Sequence, residues 1–220
     1  MLDYRRRKIL QNIGIDYWIS RSEREEKEDD CSEEPSLILL EKEVRSCSKC
    51  QLHTSRSNTV FGVGDAGARL MVIGEAPGVH EDRLGHPFVG RAGQLLDKML
   101  QAIGQSREQV YITNVLKCRP PENRDPTSSE VSNCRGYLDE QITLVAPSVI
   151  LALGRFAAHS ILGVDCGVGH LRANLHRVPE TNVPVVVTYH PAYLLRSPIE
   201  KSKVWADLKK VLALLDNVET

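Results

Sequence analysis

Residues 70–93 read LMVIGEAPGVHEDRLGHPFVGRAG, and this stretch decides the fold. It opens as a buried strand, LMVI. It then breaks at Gly74, Pro77 and Gly78 into a turn that exposes backbone groups and carries one acidic side chain, Glu75. A lone aromatic, Phe88, follows, and then a glycine-flanked helix start. Strand, turn and helix in that order make one unit of an open α/β sheet, where ligands bind beyond the carboxyl ends of the strands.

The rest of the chain repeats the alternation. Strands are expected at residues 69–73, 110–114, 148–153 and 183–189. Helices are expected at 37–46, 93–103, 128–144, 155–162 and 198–215. The second of these has Leu95, Leu96, Met99, Leu100 and Ile103 at helical spacing, and the third follows Pro126 and Thr127. The expectation is an open, mostly parallel four-stranded sheet with helices on both faces, a three-layer α/β/α architecture. Three strands end in polar or glycine-rich chemistry, so Glu75, Asn114 and His190 should converge on one rim.

The apolar share is 41% and the charged share 26%, as expected of a soluble globular protein. The formal net charge is -1, but residues 21–34 carry eight acidic and three basic side chains. That leaves a mildly basic body, compatible with DNA without requiring it. No run approaches the ~20 apolar residues of a membrane span, and the N-terminus lacks the apolar core of a secretory signal. A cytoplasmic location is expected, with the six cysteines as thiols or metal ligands rather than disulfides. Residues 1–34 read as an N-terminal extension with an acidic linker. Its first part is either a docking peptide for a partner, a helix packed on its own body, or disorder. Residues 35–220 read as the functional domain.

Four cysteines form a quartet: Cys47 and Cys50 as C-x-x-C, then Cys118 and Cys134. Four thiolates from two distant segments suit tetrahedral zinc or an iron–sulfur cluster, and the spacing leaves the choice open. Redox use of the C-x-x-C pair lacks a thioredoxin-like context, and buried inert thiols are the remaining alternative. Cys31 and Cys166 receive no role.

Taken together, GEAPG (74–78), GHPFVGRAG (85–93), YITNVLKCRPPENRDP (111–126), VILALGR (149–155) and TYHPAYLLR (188–196) resemble the family 4 uracil-DNA glycosylases, the iron–sulfur class of their superfamily. The resemblance covers about residues 44–215. It implies a DNA-repair hydrolase that flips uracil out of single- or double-stranded DNA and hydrolyses its N-glycosidic bond, leaving an abasic site. It further implies a monomer acting with the nucleoid.

The implied roles follow the motifs. His190 would donate to uracil O2 as negative charge builds there, and Glu75 would face the sugar or hold the attacking water. Ala76 stands in the pentad where a sister family has an aspartate, so main-chain groups of this turn would share the work. Asn114 would read the base edge, Phe88 would stack on it, and Glu81 would crowd its C5 side. Leu194, Leu195 and Arg196 would wedge into the vacated stack. Cys47, Cys50, Cys118 and Cys134 would hold a [4Fe–4S] cluster of structural role. A cross-linking relative carries an inserted loop with a reactive histidine that this chain lacks, and family 5 lacks the glutamate that stands here as Glu75. A non-catalytic nucleic-acid-binding or electron-carrying module would not need Asn114, Phe88 and His190 around a pocket.

Overall fold

The computed structural model describes residues 36–216. The helix, linker and docking-peptide readings of residues 1–34 lie outside the described residues, as does Cys31.

Strands β2 (Leu70–Gly74), β3 (Tyr111–Asn114), β4 (Val149–Leu153) and β6 (Pro184–Thr188) form the parallel centre of the sheet. Val72 lies opposite both Ile112 and Leu151, and Ile150 lies opposite Val185. The expected four strands are all present, but among the described residues the sheet has six. Val63–Gly64 (β1) runs antiparallel beside β3, and His176–Arg177 (β5) runs antiparallel beside β6. The order is β1-β3-β2-β4-β6-β5. Two-residue strands carry no periodicity of their own and exist only through edge pairing.

Alternating side chains send each strand's residues to opposite faces. Met71, Ile73, Ile150, Ala152 and Val187 pack against α4 (Ser128–Val145) and α5 (Arg155–Leu162) through Leu138, Ile142, Ala158 and Ile161. Leu70, Val72, Ile112, Leu151 and Val186 pack against α3 (Arg91–Gln101) and α8 (Lys201–Asp216). Helix α3 presents Leu96, Met99 and Leu100, and α8 presents Val204, Leu208, Val211 and Leu215, the one-sided spacing of an amphipathic helix. Each such fully buried aliphatic side chain contributes about 2 kcal/mol. The remaining helices are α1 (Leu37–Ser46), α2 (Val79–Leu84), α6 (Val168–Leu171) and α7 (Pro191–Arg196). Among the described residues no helix is long and apolar enough to cross a membrane.

The chain leaves β2 for β3 on one side and later returns to β4 on the other. Strand β2 is therefore flanked by a reversal of winding, the place where an open α/β sheet leaves a crevice.

Candidate active site

The crevice is a pocket of about 250 Å³ lined by Glu75, Ala76, Glu81, Phe88, Asn114 and His190, among others. Those six are the sequence-derived catalytic and binding candidates, and they come from three different strand ends, helix α2 and two turns. Gly74 closes β2 beneath them. A Cβ there would lie 2.3 Å from Asn114 Oδ1 and 2.5 Å from Phe88 Cζ, so only glycine admits both side chains.

Asn114 is the last residue of β3 and is 2% exposed. Its Oδ1 is buried with no hydrogen-bond partner. A buried acceptor left unpaired costs about 1–3 kcal/mol.

His190 stands two residues beyond β6 as the N-cap of α7. The Ala192 N–H donates to its Nδ1 at 3.2 Å, which leaves the ring proton on Nε2. Burial, helped by the Arg196 charge and opposed by Glu81, pulls His190 down to about 4. The ring is therefore a neutral donor at physiological pH. It lies 5.7 Å from the Phe88 ring, centre to centre.

Glu75 follows β2 directly. Burial pushes its carboxyl up to about 7, aided by the Asp125 charge and opposed by Arg155. A carboxylate that changes protonation near neutrality is poised for charge stabilisation or general-base work.

Glu81 does more than line the pocket. Its Oε1 accepts from the N–H groups of Val89 at 2.9 Å and Gly90 at 3.0 Å. It thereby holds the turn that presents Phe88, whose φ of 54° lies in the left-handed region. For a bulky residue that conformation costs on the order of 1–3 kcal/mol and persists only where its surroundings enforce it.

The segment after β3 forms a further wall of the pocket, from Pro120, Asn123 and Arg124. Arg124 is fixed there by both oxygens of Glu130, at 2.6 and 2.9 Å. Glu130 also completes the capping box of α4 with Thr127. Asn123 accepts from Arg119 at 2.8 Å. The T-x-x-E spacing of residues 127–130 was the available signal for this anchor.

One sequence expectation is corrected. Leu194 is 1% exposed and packs in the core formed with α3 and α8, so it cannot wedge into a base stack. Leu195, at 39% exposed, and Arg196 face outward on the same short helix.

The four cysteines of the quartet line a second, smaller pocket. Among the described residues no three His, Cys, Asp or Glu side chains form a group able to hold a metal ion. Three of the four thiols nevertheless have a nearby donor. The Arg56 guanidinium reaches Cys118 Sγ at 3.0 Å, the Lys117 N–H reaches Cys134 Sγ at 3.4 Å, and the Lys49 N–H reaches Cys47 Sγ at 3.5 Å.

Lys117, which sequence reading passed over, is 1% exposed. Its ammonium donates to Thr113 Oγ1, the Asn114 carbonyl and Gln141 Oε1, at 2.8, 2.7 and 2.6 Å. It joins the cysteine pocket to the backbone of Asn114.

Comparison with known proteins assigns the class. A sequence profile for the uracil DNA glycosylase superfamily matches residues 61–209, which include every wall of the first pocket. A type-4 uracil-DNA glycosylase of Archaeoglobus fulgidus is 45% identical over 182 residues, covering 80% of this chain and 92% of that protein. One of Thermotoga maritima is 42% identical over 168 residues, covering 74% and 85%. A type-5 enzyme of Pyrobaculum aerophilum is 32% identical over 179 residues, covering 74% and 79%. This chain belongs to the type-4 uracil-DNA glycosylases.

Proposed function

We propose that the pocket takes an extruded uracil from DNA and that its three polar groups divide the hydrolysis of the N-glycosidic bond among them. The protein is a uracil-DNA glycosylase of base excision repair. The observation that carries the division of labour is the orphaned Asn114 Oδ1. Uracil N3–H supplies the missing donor, and the carboxamide N–H suits O4. Cytosine presents the reverse pattern and leaves buried groups unpaired, a discrimination that reaches roughly 10⁴-fold. Extrusion costs a few kcal/mol, offset by this pairing and by stacking on Phe88.

Bond cleavage develops positive charge on the sugar and negative charge on the base, as in glycoside hydrolysis. The Nε2–H of His190 donates to O2 as the uracil anion forms, in a pocket where water does not weaken it. Glu75 faces the sugar, steadying its charge or holding the attacking water. Ala76 contributes main-chain groups to that wall, and Glu81 crowds the C5 side while holding the Phe88 turn. Leu195 and Arg196 enter the vacated stack in this reading, which their exposure on α7 supports. The test is a uracil-containing oligonucleotide heated with alkali after incubation. It should break at uracil and remain whole when uracil is replaced by thymine.

The raised Glu75 carboxyl sets a pH dependence. The carboxylate is the working form, so uracil release should climb through about pH 7 and level above it. His190 titrates near 4 and adds no break above that. Glu75→Gln should remove the climb together with most of the rate. The sign for stability is opposite. The folded protein binds this proton more tightly than the unfolded chain, so burying Glu75 costs stability as pH rises from its ordinary value through about 7. Glu75→Gln should therefore melt higher at pH 8 and unchanged at pH 4. Its gain should be about 1–2 kcal/mol after allowing for partial solvent exposure. Equal melting at pH 8 would remove the burial argument.

Cys47, Cys50, Cys118 and Cys134, which line one pocket, are read here as the residues that would hold the [4Fe–4S] cluster family membership implies. What supports this reading is that the Arg56 guanidinium and the backbone N–H groups of Lys117 and Lys49 already donate to three of the four sulfurs, as donors to a negative group would. When bound, such a cluster supplies cross-links between the two segments. Cys118→Ser should lower the melting temperature and bleach the visible absorption of the purified protein. An unchanged spectrum would exclude Cys118 from the ligand set.

A further inference from the structure

Phe88 stands in a backbone conformation that a phenylalanine does not choose, with φ at 54°. Three features converge on that turn. On its N–H side, Glu81 Oε1 accepts from Val89 and Gly90. Behind it, α3 approaches so closely that a Cβ on Gly93 would fall 1.7 Å from the Phe88 oxygen. On its carbonyl side stands Arg107, from the loop between α3 and β3. Its Nη2 donates to the carbonyls of Pro87 and Phe88, both at 2.6 Å, and its Nη1 reaches Asp97 Oδ1 on α3 at 3.4 Å. The side chain is 23% exposed, so water competes only partly for those bonds. Arg107 does not line the base pocket.

We propose that Arg107 is a positioning residue for base recognition, clamping the strained Phe88 turn so that the ring lies at the height a flipped pyrimidine requires. The proposal rests on the reading of the pocket as the uracil site. A cation on the carbonyls and an anion on the N–H groups oppose each other across one turn, and charge-assisted bonds are the strong ones. The planar guanidinium engages two carbonyls and a carboxylate at once, which the single point charge of a lysine does not reproduce. Without it the turn is free to relax toward ordinary dihedrals. The ring then moves relative to Asn114, because its Cζ already crowds the end of β2. Such misplacement appears in turnover more than in DNA capture.

The test is a double-mutant cycle on a uracil-containing oligonucleotide, with Arg107→Met, Phe88→Ala and the pair. Arg107→Met is expected to lower kcat by about tenfold to 100-fold while leaving KM within about twofold. In the Phe88→Ala background it should change kcat by less than about twofold, since the ring it positions is gone. Losses that multiply in the double variant would overturn the proposal, as would a parental kcat in Arg107→Met. If Phe88→Ala alone turns over at the parental rate, the pocket reading fails and takes this inference with it. Arg107→Lys guards against a variant that does not fold. It keeps the charge and should still lose most of the turnover, and full activity in it would overturn the clamp.

Discussion

Asn114→Ala is expected to lower uracil release by about 10³-fold or more without lowering the melting temperature. The two halves of that result have one cause. In the protein alone, Asn114 Oδ1 is sealed from water with nothing donating to it. The folded state carries that cost, and the substrate relieves it. Removing the carboxamide therefore removes a liability from the resting protein, offsetting the small void left behind. It also removes the pairing that makes an extruded uracil preferable to a stacked one. A thermal melt beside an abasic-site assay reads both. A variant that loses activity only because it melts early would place Asn114 among ordinary structural residues.

His190→Ala should cost roughly 10²–10³-fold in turnover, the range expected when one preorganised donor is removed from a developing oxyanion. The imidazole also caps α7 through its Nδ1 bond to Ala192, so alanine should cost about 1 kcal/mol of stability as well. His190→Asn separates the two roles. Asparagine caps a helix well and keeps the fold, but its shorter amide does not reach where Nε2–H reaches. Stability should return with asparagine and turnover should not. Because burial keeps the ring neutral down to about pH 4, the parental rate should show no acid limb from this residue near pH 6.

Much of this site was legible in the chain before folding. The five long helices announce themselves by period, since each buries one face, and the four central strands by short continuous apolar runs, since both their faces are covered. Strand ends rich in glycine and polar residues then locate the rim, because α/β sheets place ligands there. What escaped the sequence is what has no period. The two-residue edges Val63–Gly64 and His176–Arg177 are strands only because β3 and β6 offer partners. Helices α2, α6 and α7 are too short to show an apolar stripe. In PAYLLR the two leucines look alike. Leu194 turns into the core and Leu195 turns out, which is decided by how α7 leaves the N-cap at His190. The Arg107 clamp and the Lys117 bridge join residues whose pairing depends on loop geometry, and no spacing rule marks either.

The most direct measurement is a crystal structure of the protein with free uracil. Uracil N3 should lie about 2.7–3.2 Å from Asn114 Oδ1, with O2 at the same range from His190 Nε2 and the Phe88 ring over the base. A uracil bound elsewhere, or bound in the pocket with Asn114 Oδ1 still unpartnered, would contradict the assignment.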